Sequence, residues 1–354
     1  MLTLGVQQHE IFMQRALDLA QLGAGTVSPN PMVGAVVVHQ NQIIGEGYHQ
    51  KYGDAHAEVN AINQVIERFN GAHELLANSS IYVTLEPCAH FGKTPPCADL
   101  IIKHKIPNVI IGCVDPFGSV NGKGVSRLRD AGIRVDVGVL QQQCIAINRR
   151  FFTKVQQQRP YVILKWAQTA DAYFSPEDGT QRWISNAPVK QLVHQWRTQE
   201  DCILVGKRTA RADNPQLNAR LSNGRNPLRA VIDKNLDLPA QLHLFDNSIK
   251  TFVFNRHKTD VVGNTYYVQI EEFETLLPQY ILYQLFLQDV QSLIIEGGAR
   301  TLQSFIDAKL WDEARIFTSN DFWGNGIRAP RIEGQMQEQH QIGDNHLHIL
   351  TPFQ

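Results

Sequence analysis

The sequence lacks the features of several protein classes. It has 354 residues but only five cysteines, an odd and sparse number that does not suit a disulfide framework and favours a reducing compartment. Its formal net charge is -1, so it has no basic excess for binding nucleic acid. No stretch approaches the roughly 18 uncharged apolar residues of a membrane helix, and the first residues lack an apolar signal core. We therefore expect a cytoplasmic protein that acts on small molecules, with no nucleic-acid or membrane partner.

The composition that is present is typical of a globular chain. Hydrophobic residues make up 43% and charged residues 19%, which are ordinary proportions, and the length suggests about two domains. A polar stretch between Asn148 and Pro160 predicts domains over residues 1–150 and 151–354. The apolar patterns of the first domain predict the order helix, two strands, helix, strand, helix, strand, which gives an α/β fold with a mixed sheet. The second domain also reads as α/β, with strands predicted to begin at Tyr161, Cys202, Arg229, Thr251 and Ser292.

The most informative pattern combines His56, Glu58 two residues later, and then Cys88 and Cys97, with a proline just before Cys88. One imidazole and two thiolates suit zinc better than magnesium or calcium, and three ligands leave one position of a tetrahedral site for water. Zinc lowers the pKa of such a water to about 7, from about 15.7 in bulk. Because Glu58 need not bind the metal, it is free to carry protons. The pattern indicates zinc-assisted hydrolysis and is typical of nucleobase deaminases.

Other interpretations of these residues remain open. His56 and the two cysteines could be an ordinary core histidine and buried thiols. The site could also be a closed structural zinc site with His90 as its fourth ligand, as a non-catalytic interaction module would require. A nucleic-acid-editing deaminase is a further alternative, and it would show strong salt-dependent binding to RNA.

The stretch 87–97, in which the second cysteine follows nine positions after the first, resembles the bifunctional deaminase/reductase of riboflavin biosynthesis. Residues 30–34, 45–49, 165–167 and 296–298 match that family in the same order. The resemblance implies a cytidine-deaminase-like three-layer domain followed by a dihydrofolate-reductase-like α/β domain. It implies zinc-dependent hydrolytic deamination of 2,5-diamino-6-(5-phosphoribosylamino)pyrimidin-4(3H)-one, then NADPH-dependent reduction of the ribosyl side chain to ribityl. Zn²⁺ and NADPH are the implied cofactors, and a homo-oligomer (dimer or tetramer) is the implied assembly.

The resemblance also implies roles for individual residues. It makes Glu58 the catalytic proton carrier and gives the metal ligands as His56, Cys88 and Cys97. The residues implied to bind the deaminase substrate are Asn30, His49, Lys93, Asp115 and Asn121. Those implied to bind the nicotinamide cofactor are Ala167, Trp183, Thr209, Asp213, Gly297 and Gly298. Those implied to bind the reductase substrate are Gln181, Arg197, Leu217, Arg220 and Glu296.

The chemistry of some residues in the second domain supports the roles that the resemblance implies. Arg197 and Arg220 are predicted to pair bidentately with a phosphate. The two glycines at 297–298 precede a predicted helix, whose first N–H groups are suited to a pyrophosphate. Two positions depart from the family: Ala172 stands where a glycine would allow a positive φ, and Gln181 stands where a small serine is expected. These departures motivate an alternative, an active deaminase with a degenerate, binding-only reductase domain.

Overall fold

The computed structural model describes residues 6–89, 91, 95–117, 121–177 and 182–353 of the chain. The chain divides into two compact units, Met1–Gln157 and Gln158–Gln354, and each is described by itself. The predicted boundary between residues 150 and 151 falls inside a helix, Arg149–Gln157, that belongs to the first unit. Within the described ranges, no helix combines the length and the apolar character that crossing a membrane requires.

The first unit follows the predicted order of helices and strands through its fourth strand, with one additional short helix, Ala72–Leu76, before the third strand. Its elements are α1 (Val6–Gln21), β1 (Gly34–His39), β2 (Gln42–Tyr48), α2 (Ala57–Arg68), α3 (Ala72–Leu76), β3 (Ser80–Leu85), α4 (Cys97–Lys103), β4 (Asn108–Cys113), α5 (Lys123–Asp130), β5 (Arg134–Val137), α6 (Gln141–Ile147) and α7 (Arg149–Gln157). The strands that the structure describes here form a sheet in the order β2-β1-β3-β4-β5. Strand β1 is antiparallel to β2 and β3, whereas β3, β4 and β5 are parallel. The predicted mixed sheet is therefore confirmed.

Strand β1 is an almost continuous apolar run because both faces of the sheet are covered. Val37 belongs to a core cluster with Ala61 of α2 on one face. Val36 belongs to a second cluster with Leu17 of α1 on the other face. A strand buried on both sides loses the usual alternation of apolar and polar residues, which explains the pattern from which this strand was predicted.

The second unit is built around a long sheet. Its elements are β6 (Tyr161–Gln168), β7 (Tyr173–Ser175), α8 (Ala187–Gln199), β8 (Cys202–Gly206), α9 (Lys207–Asp213), β9 (Leu228–Ile232), a 3₁₀ turn (His243–Phe245), β10 (Thr251–Asn255), β11 (Asp260–Val262), β12 (Thr265–Gln269), α10 (Leu277–Phe286), β13 (Ser292–Gly297), α11 (Ala299–Asp307), β14 (Glu313–Thr318), β15 (Ile327–Arg328), β16 (Gln335–Ile342) and β17 (Asn345–Thr351). Strands β7 and β15 pair separately, and the other described strands form one sheet in the order β11-β12-β10-β9-β8-β13-β6-β14-β17-β16.

The centre of this sheet is parallel and covered on both faces. Strands β12, β10, β9, β8, β13, β6 and β14 run in one direction. At one end of the sheet β11 is antiparallel to β12, and at the other end β17 is antiparallel to β14 and β16 is antiparallel to β17. In β6, Leu164 faces one core cluster and Ile163 faces the other. The five strand starts predicted in this half all coincide with strands, within one residue. The parallel centre puts the carboxyl ends of β6, β8 and β13 at one edge, where ligand sites of open α/β sheets form.

Candidate active sites

Three side chains that suit a metal converge in the first unit. His56 is the N-cap of α2, Cys97 is the first residue of α4, and Cys88 lies in the loop after β3. Their ligand atoms all lie within 4.8 Å of one another, and His56 Nδ1 is 3.3 Å from Cys97 Sγ and 3.7 Å from Cys88 Sγ. One imidazole nitrogen and two sulfurs form the donor set that zinc takes in sites with an open fourth position. The residues present therefore fit a zinc ion.

The two thiols of this cluster are electrostatically unequal. The pKa of the Cys88 thiol is lowered chiefly by a hydrogen bond from the Cys97 thiol, and His56 adds to the effect. The backbone N–H of Cys97 also donates to Cys88 Sγ at 3.3 Å. A thiolate is the form of cysteine that binds metals, so Cys88 is prepared for coordination by its neighbours.

Glu58 lies in the first turn of α2, and only 3% of it is exposed. Burial raises the pKa of its carboxyl, the His56 ring opposes the shift, and the charge of Cys88 adds to it. A carboxyl with a raised pKa takes up and releases a proton more readily near neutral pH, which is the property of a general acid–base catalyst. The buried carboxyl stands two residues from a metal-ligand candidate, as the sequence pattern requires.

Two of the predicted substrate residues are beside this cluster. The His49 ring meets the His56 ring edge-on, with 5.4 Å between ring centroids. His49 Nδ1 lies 3.1 Å from the carbonyl oxygen of Ala55, which only accepts, so this nitrogen carries the proton. Its Nε2 then accepts from the Asn30 side-chain amide at 3.1 Å. Burial lowers the pKa of His49, and the neutral ring therefore holds Asn30 close to the metal-ligand cluster.

Two more predicted substrate residues of this half, Asp115 and Asn121, lie in the connection between β4 and α5. Asp115 is buried just after β4, and its carboxylate accepts from the Phe117 N–H at 2.8 Å. Asn121 lines an open cavity of about 580 Å³ that also borders Ala89, the residue after Cys88. Lys93 lies outside the described residues, as does His90, the alternative fourth ligand.

Asn148 is a contributor that the sequence reasoning missed. Its Oδ1 accepts from the Met32 N–H and its Nδ2 donates to the Met32 carbonyl, both at 2.8 Å. The side chain is only 2% exposed, so both bonds are shielded from water. They fix the segment that carries Asn30, although the two partners are 116 positions apart. No local pattern signals such a contact.

A cluster of charges marks the second site, at the carboxyl ends of β6 and β13. Arg197 of α8 donates two hydrogen bonds to Glu296, from Nε to Oε1 at 2.9 Å and from Nη2 to Oε2 at 2.7 Å. Lys165 Nζ lies 3.9 Å from Glu296 Oε2. Burial alone would raise the pKa of Glu296, but the charges of Arg197 and Lys165 outweigh it and lower the pKa to about 2. Burial lowers the pKa of the Lys165 ammonium, and Glu296 opposes that shift.

The two arginines predicted to pair with a phosphate have protein partners in the structure. Arg197 Nε and Nη2 pair with Glu296, and its Nη1 donates to the Asn218 carbonyl at 3.0 Å. The buried carboxylate needs a counter-ion, and Arg197 supplies it. Arg220 Nη1 donates to the Asn218 side chain at 3.0 Å. Burial and the charges of Arg197 and Arg220 lower the pKa of His194 to about 4, so this histidine is neutral beside the two arginines.

Three residues predicted to bind the cofactor, Thr209, Gly297 and Gly298, lie near one another. Gly298 is the N-cap of α11, and a Cβ built there would lie 3.2 Å from Thr209 Oγ1. Gly297 has a φ of +137°, a conformation that a side chain disfavours. Asp213 ends α9, and burial raises its pKa. The structure therefore brings Thr209 together with both glycines, as a shared ligand site requires.

The other predicted residues of this half have varied surroundings. Ala167 lies near the end of β6, and Trp183 is 63% exposed with the Lys190 ammonium 3.8 Å from its ring centroid. Leu217 has its side chain in a core cluster and is 2% exposed. Gln181 lies outside the described residues.

Ala172 occupies the backbone conformation that its sequence position suggested. Its φ is +62°, in the left-handed region where an L-residue with a Cβ is strained by roughly 1–2 kcal/mol. We expect Ala172→Gly to stabilise the second unit by about 1 kcal/mol, because relief of this strain exceeds the added entropy of the unfolded chain. All five tryptophans lie in the second unit, so denaturant unfolding followed by their fluorescence measures this unit alone. The control Ala170→Gly, at a residue without a positive φ, should destabilise it instead, and equal effects would contradict the strain.

Comparisons with known proteins cover both halves of the chain. Residues 160–349 match the family model described as RibD C-terminal domain, and residues 6–113 match the cytidine and deoxycytidylate deaminase zinc-binding region. The chain is 37% identical to the riboflavin biosynthesis protein RibD of Aquifex aeolicus (strain VF5), over 89% of this chain and 88% of that protein. It is also 37% identical to the RibD of Bacillus amyloliquefaciens, over 92% and 88% of the two chains.

Solved structures resemble the whole chain as well. One is a diaminohydroxyphosphoribosylaminopyrimidine deaminase/5-amino-6-(5-phosphoribosylamino)uracil reductase from Thermotoga maritima, with a TM-score of 0.90 and 33% identity, covering 98% of this chain and 99% of that one. Another is Acinetobacter baumannii RibD, with a TM-score of 0.88 and 30% identity, covering 99% and 100% of the two chains. These likenesses extend over both units.

Proposed function

Because the chain belongs to the RibD family of riboflavin biosynthesis proteins and is a bifunctional deaminase and reductase, we propose that its two units act in sequence on one pyrimidine phosphoribosyl compound. The predicted order of a cytidine-deaminase-like domain and a reductase domain is confirmed. The first unit deaminates 2,5-diamino-6-(5-phosphoribosylamino)pyrimidin-4(3H)-one, and the second reduces the ribosyl side chain of the product to ribityl. The observation that carries the proposal is the convergence of His56, Cys88 and Cys97 beside the buried carboxyl of Glu58.

In the first unit, His56, Cys88 and Cys97 would hold zinc. Zinc bound there supplies the Lewis acidity that makes a water nucleophilic near neutral pH. Glu58 accepts a proton and passes it to the amine that leaves the ring, so that a carbonyl oxygen replaces the amine and ammonia departs. A positioned acid–base group of this kind contributes about 10²–10⁴-fold to the rate.

Further residues would orient the deaminase substrate. Asn30, held through His49, lies beside the metal-ligand cluster and has amide groups suited to the ring edge. Asp115 and Asn121 come from the connection between β4 and α5, and Lys93 carries a charge suited to the phosphate or to a ring carbonyl. These assignments rest on the family resemblance together with the positions of the described residues.

In the second unit, NADPH would supply the hydride that reduces the sugar carbon. Ala167, Trp183, Thr209, Asp213 and the glycines at 297–298 would bind it. The substrate needs a proton as well as the hydride, and we assign this proton to Lys165. Arg197, its neighbour in the cluster, keeps its protons at any physiological pH, whereas burial lowers the pKa of Lys165 and eases the release of a proton. Glu296 holds both cations in place.

The substrate of this second step would bind around the same charges. Glu296, Arg197, Arg220, Leu217 and Gln181 are the residues proposed to contact it, and the Arg220 guanidinium is the proposed phosphate partner. The Lys165 ammonium beside Glu296 favours a working reductase over a binding-only domain, because a domain that only binds needs no proton donor at this position.

Removing the metal separates the two activities. A zinc chelator, followed by removal of free chelator, should stop ammonia release from the diaminopyrimidine phosphate, since the metal-ligand cluster belongs to the first unit. Oxidation of NADPH with the deaminated intermediate supplied separately should continue, as followed at the nicotinamide absorbance band. Readdition of zinc should restore ammonia release. Zinc-loaded protein that releases no ammonia would exclude the deaminase assignment, and failure to oxidise NADPH would revive the binding-only alternative.

We also propose that the protein acts in the cytoplasm as a homo-oligomer. Its described cysteines are free thiols, which suit a reducing compartment. Light scattering of the purified protein measures the assembly, and the mass of a single chain would contradict an oligomer.

A further inference from the structure

Glu86 is a buried carboxylate with an unusual set of partners. It follows β3 directly and is 4% exposed. Its Oε2 accepts from the backbone N–H groups of Asp115, at 3.2 Å, and Gly122, at 2.9 Å. Its Oε1 accepts from the N–H of Val125 at 3.1 Å. One side chain therefore satisfies three backbone donors that lie 29 to 39 positions away in the sequence.

Two of these donors lie in the connection between β4 and α5, and the third, Val125, lies in α5 itself. Gly122 is the N-cap of α5 and has no side chain with which to cap the helix. Val125 lies in the first turn, where N–H groups have no partner within the helix. Glu86 takes the place of the missing cap, and its negative charge suits the positive end of the helix. The start of α5 is thus fixed by a residue outside it.

A close backbone contact strengthens this connection. A Cβ built on Gly124 would lie 2.1 Å from the carbonyl oxygen of Pro87 and 3.1 Å from Glu86 Oε1. The first turn of α5 therefore lies directly against the Glu86–Pro87 backbone. Cys88, a proposed zinc ligand, is the next residue along that backbone.

The same contacts involve the loop that carries two proposed substrate residues. The Asp115 N–H is one of the three donors, and Asn121 immediately precedes the second donor, Gly122. Asn121 also lines the cavity that borders Ala89, the residue after Cys88. Glu86 thus links both ends of this loop to the segment that leads into a metal-ligand candidate.

We propose that Glu86 is a positioning residue for deamination, which holds Asp115 and Asn121 at a fixed distance from the zinc site. The inference rests on the proposed function of the first unit. It requires a carboxylate, because both oxygens accept hydrogen bonds from N–H groups. Glutamine would replace one acceptor with an NH₂ group, which would point a donor at another donor.

The variants Glu86→Gln and Glu86→Ala test the inference. In Glu86→Gln the KM for the diaminopyrimidine phosphate should rise about tenfold, the loss expected for one charge-assisted hydrogen bond, with kcat close to wild type. Glu86→Ala, which removes all three bonds, should raise KM further. Zinc content should stay at the wild-type ratio, and NADPH oxidation with supplied intermediate should not change. Amide hydrogen exchange in residues 121–126 should become faster in both variants.

Two controls separate positioning from a general loss of stability. Glu67→Gln removes a carboxylate from an exposed position of α2, and Leu76→Ala opens a cavity in α3 at a residue with 0% exposure. Neither should raise KM. A folded Glu86→Gln protein with unchanged KM and unchanged exchange overturns the inference alone, as does a Leu76→Ala protein with the same rise in KM. Wild-type protein that releases no ammonia overturns the proposed function and this inference together.

Discussion

Glu58→Gln is expected to lower kcat/KM for deamination by about 10²–10⁴-fold, because the amide cannot carry a proton to the leaving amine. The substitution preserves the shape of a side chain that is 3% exposed in the first turn of α2. It also removes the carboxyl whose pKa burial raises. Zinc content should stay close to that of the wild type, because His56, Cys88 and Cys97 keep their places. The measurement is ammonia release together with the metal content of the same sample.

The matched control is Glu67→Gln, an exposed carboxylate on the same helix. It should leave ammonia release unchanged. Both variants should oxidise NADPH normally with the intermediate supplied, since the substitutions lie in the first unit. Loss of zinc from Glu58→Gln would show that this glutamate supports the metal site rather than the proton transfer, and full activity would remove its catalytic role.

Glu296→Gln should abolish reduction and destabilise the second unit by about 3 kcal/mol. The carboxylate is the shared counter-ion of Arg197 and Lys165, which have only 11% and 15% of their side chains exposed. Glutamine would leave two buried cations without a compensating charge. Tryptophan fluorescence during denaturant unfolding reports the stability of this unit, and the exposed Glu271→Gln is the matched control. Ammonia release should be unaffected. A stable variant that still oxidises NADPH would contradict the assigned roles of this cluster.

The same carboxylate predicts how stability depends on pH. Its pKa is about 2 in the folded unit and about 4.3 in an unfolded chain. Since folding lowers this pKa, the stabilisation is complete above about pH 4.3 and is lost as the pH falls from there towards 2. Glu296→Gln should therefore flatten the pH dependence of unfolding in that window, whereas Glu271→Gln should retain it.

The candidate zinc site could be predicted because its residues carry distinctive chemistry in a short sequence. His56, Glu58, Cys88 and Cys97 fall within 42 positions, in a pattern that few other structures require. The strands could be predicted because burial on both faces gives continuous apolar runs. An apolar run of this kind indicates where a strand lies, but it does not indicate which distant side chains meet at the end of that strand.

The contacts that organise the sites could not be predicted for that reason. Arg197 and Glu296 were both proposed as substrate residues, yet their pairing across 99 positions was not foreseen. Sequence gives the types of the charged residues, whereas the pairing depends on which strand and helix ends come together. Glu86 and Asn148 were not predicted because they form hydrogen bonds with backbone groups. Every residue has such groups, so the sequence does not indicate which residue will be the partner.

The two hydrogen bonds between Asn148 and Met32 determine how much of the chain must be synthesised before the deaminase site can become ordered. The zinc-binding family match ends at residue 113, so a protein cut there would keep every metal-ligand candidate and Glu58. It would nonetheless lack the side chain that fixes the segment leading from Asn30. During synthesis on the ribosome, that segment is fixed only after Asn148, the residue that follows α6, has emerged. The shortest chain that forms the ordered site therefore extends past Cys97, the last metal-ligand candidate, to Asn148.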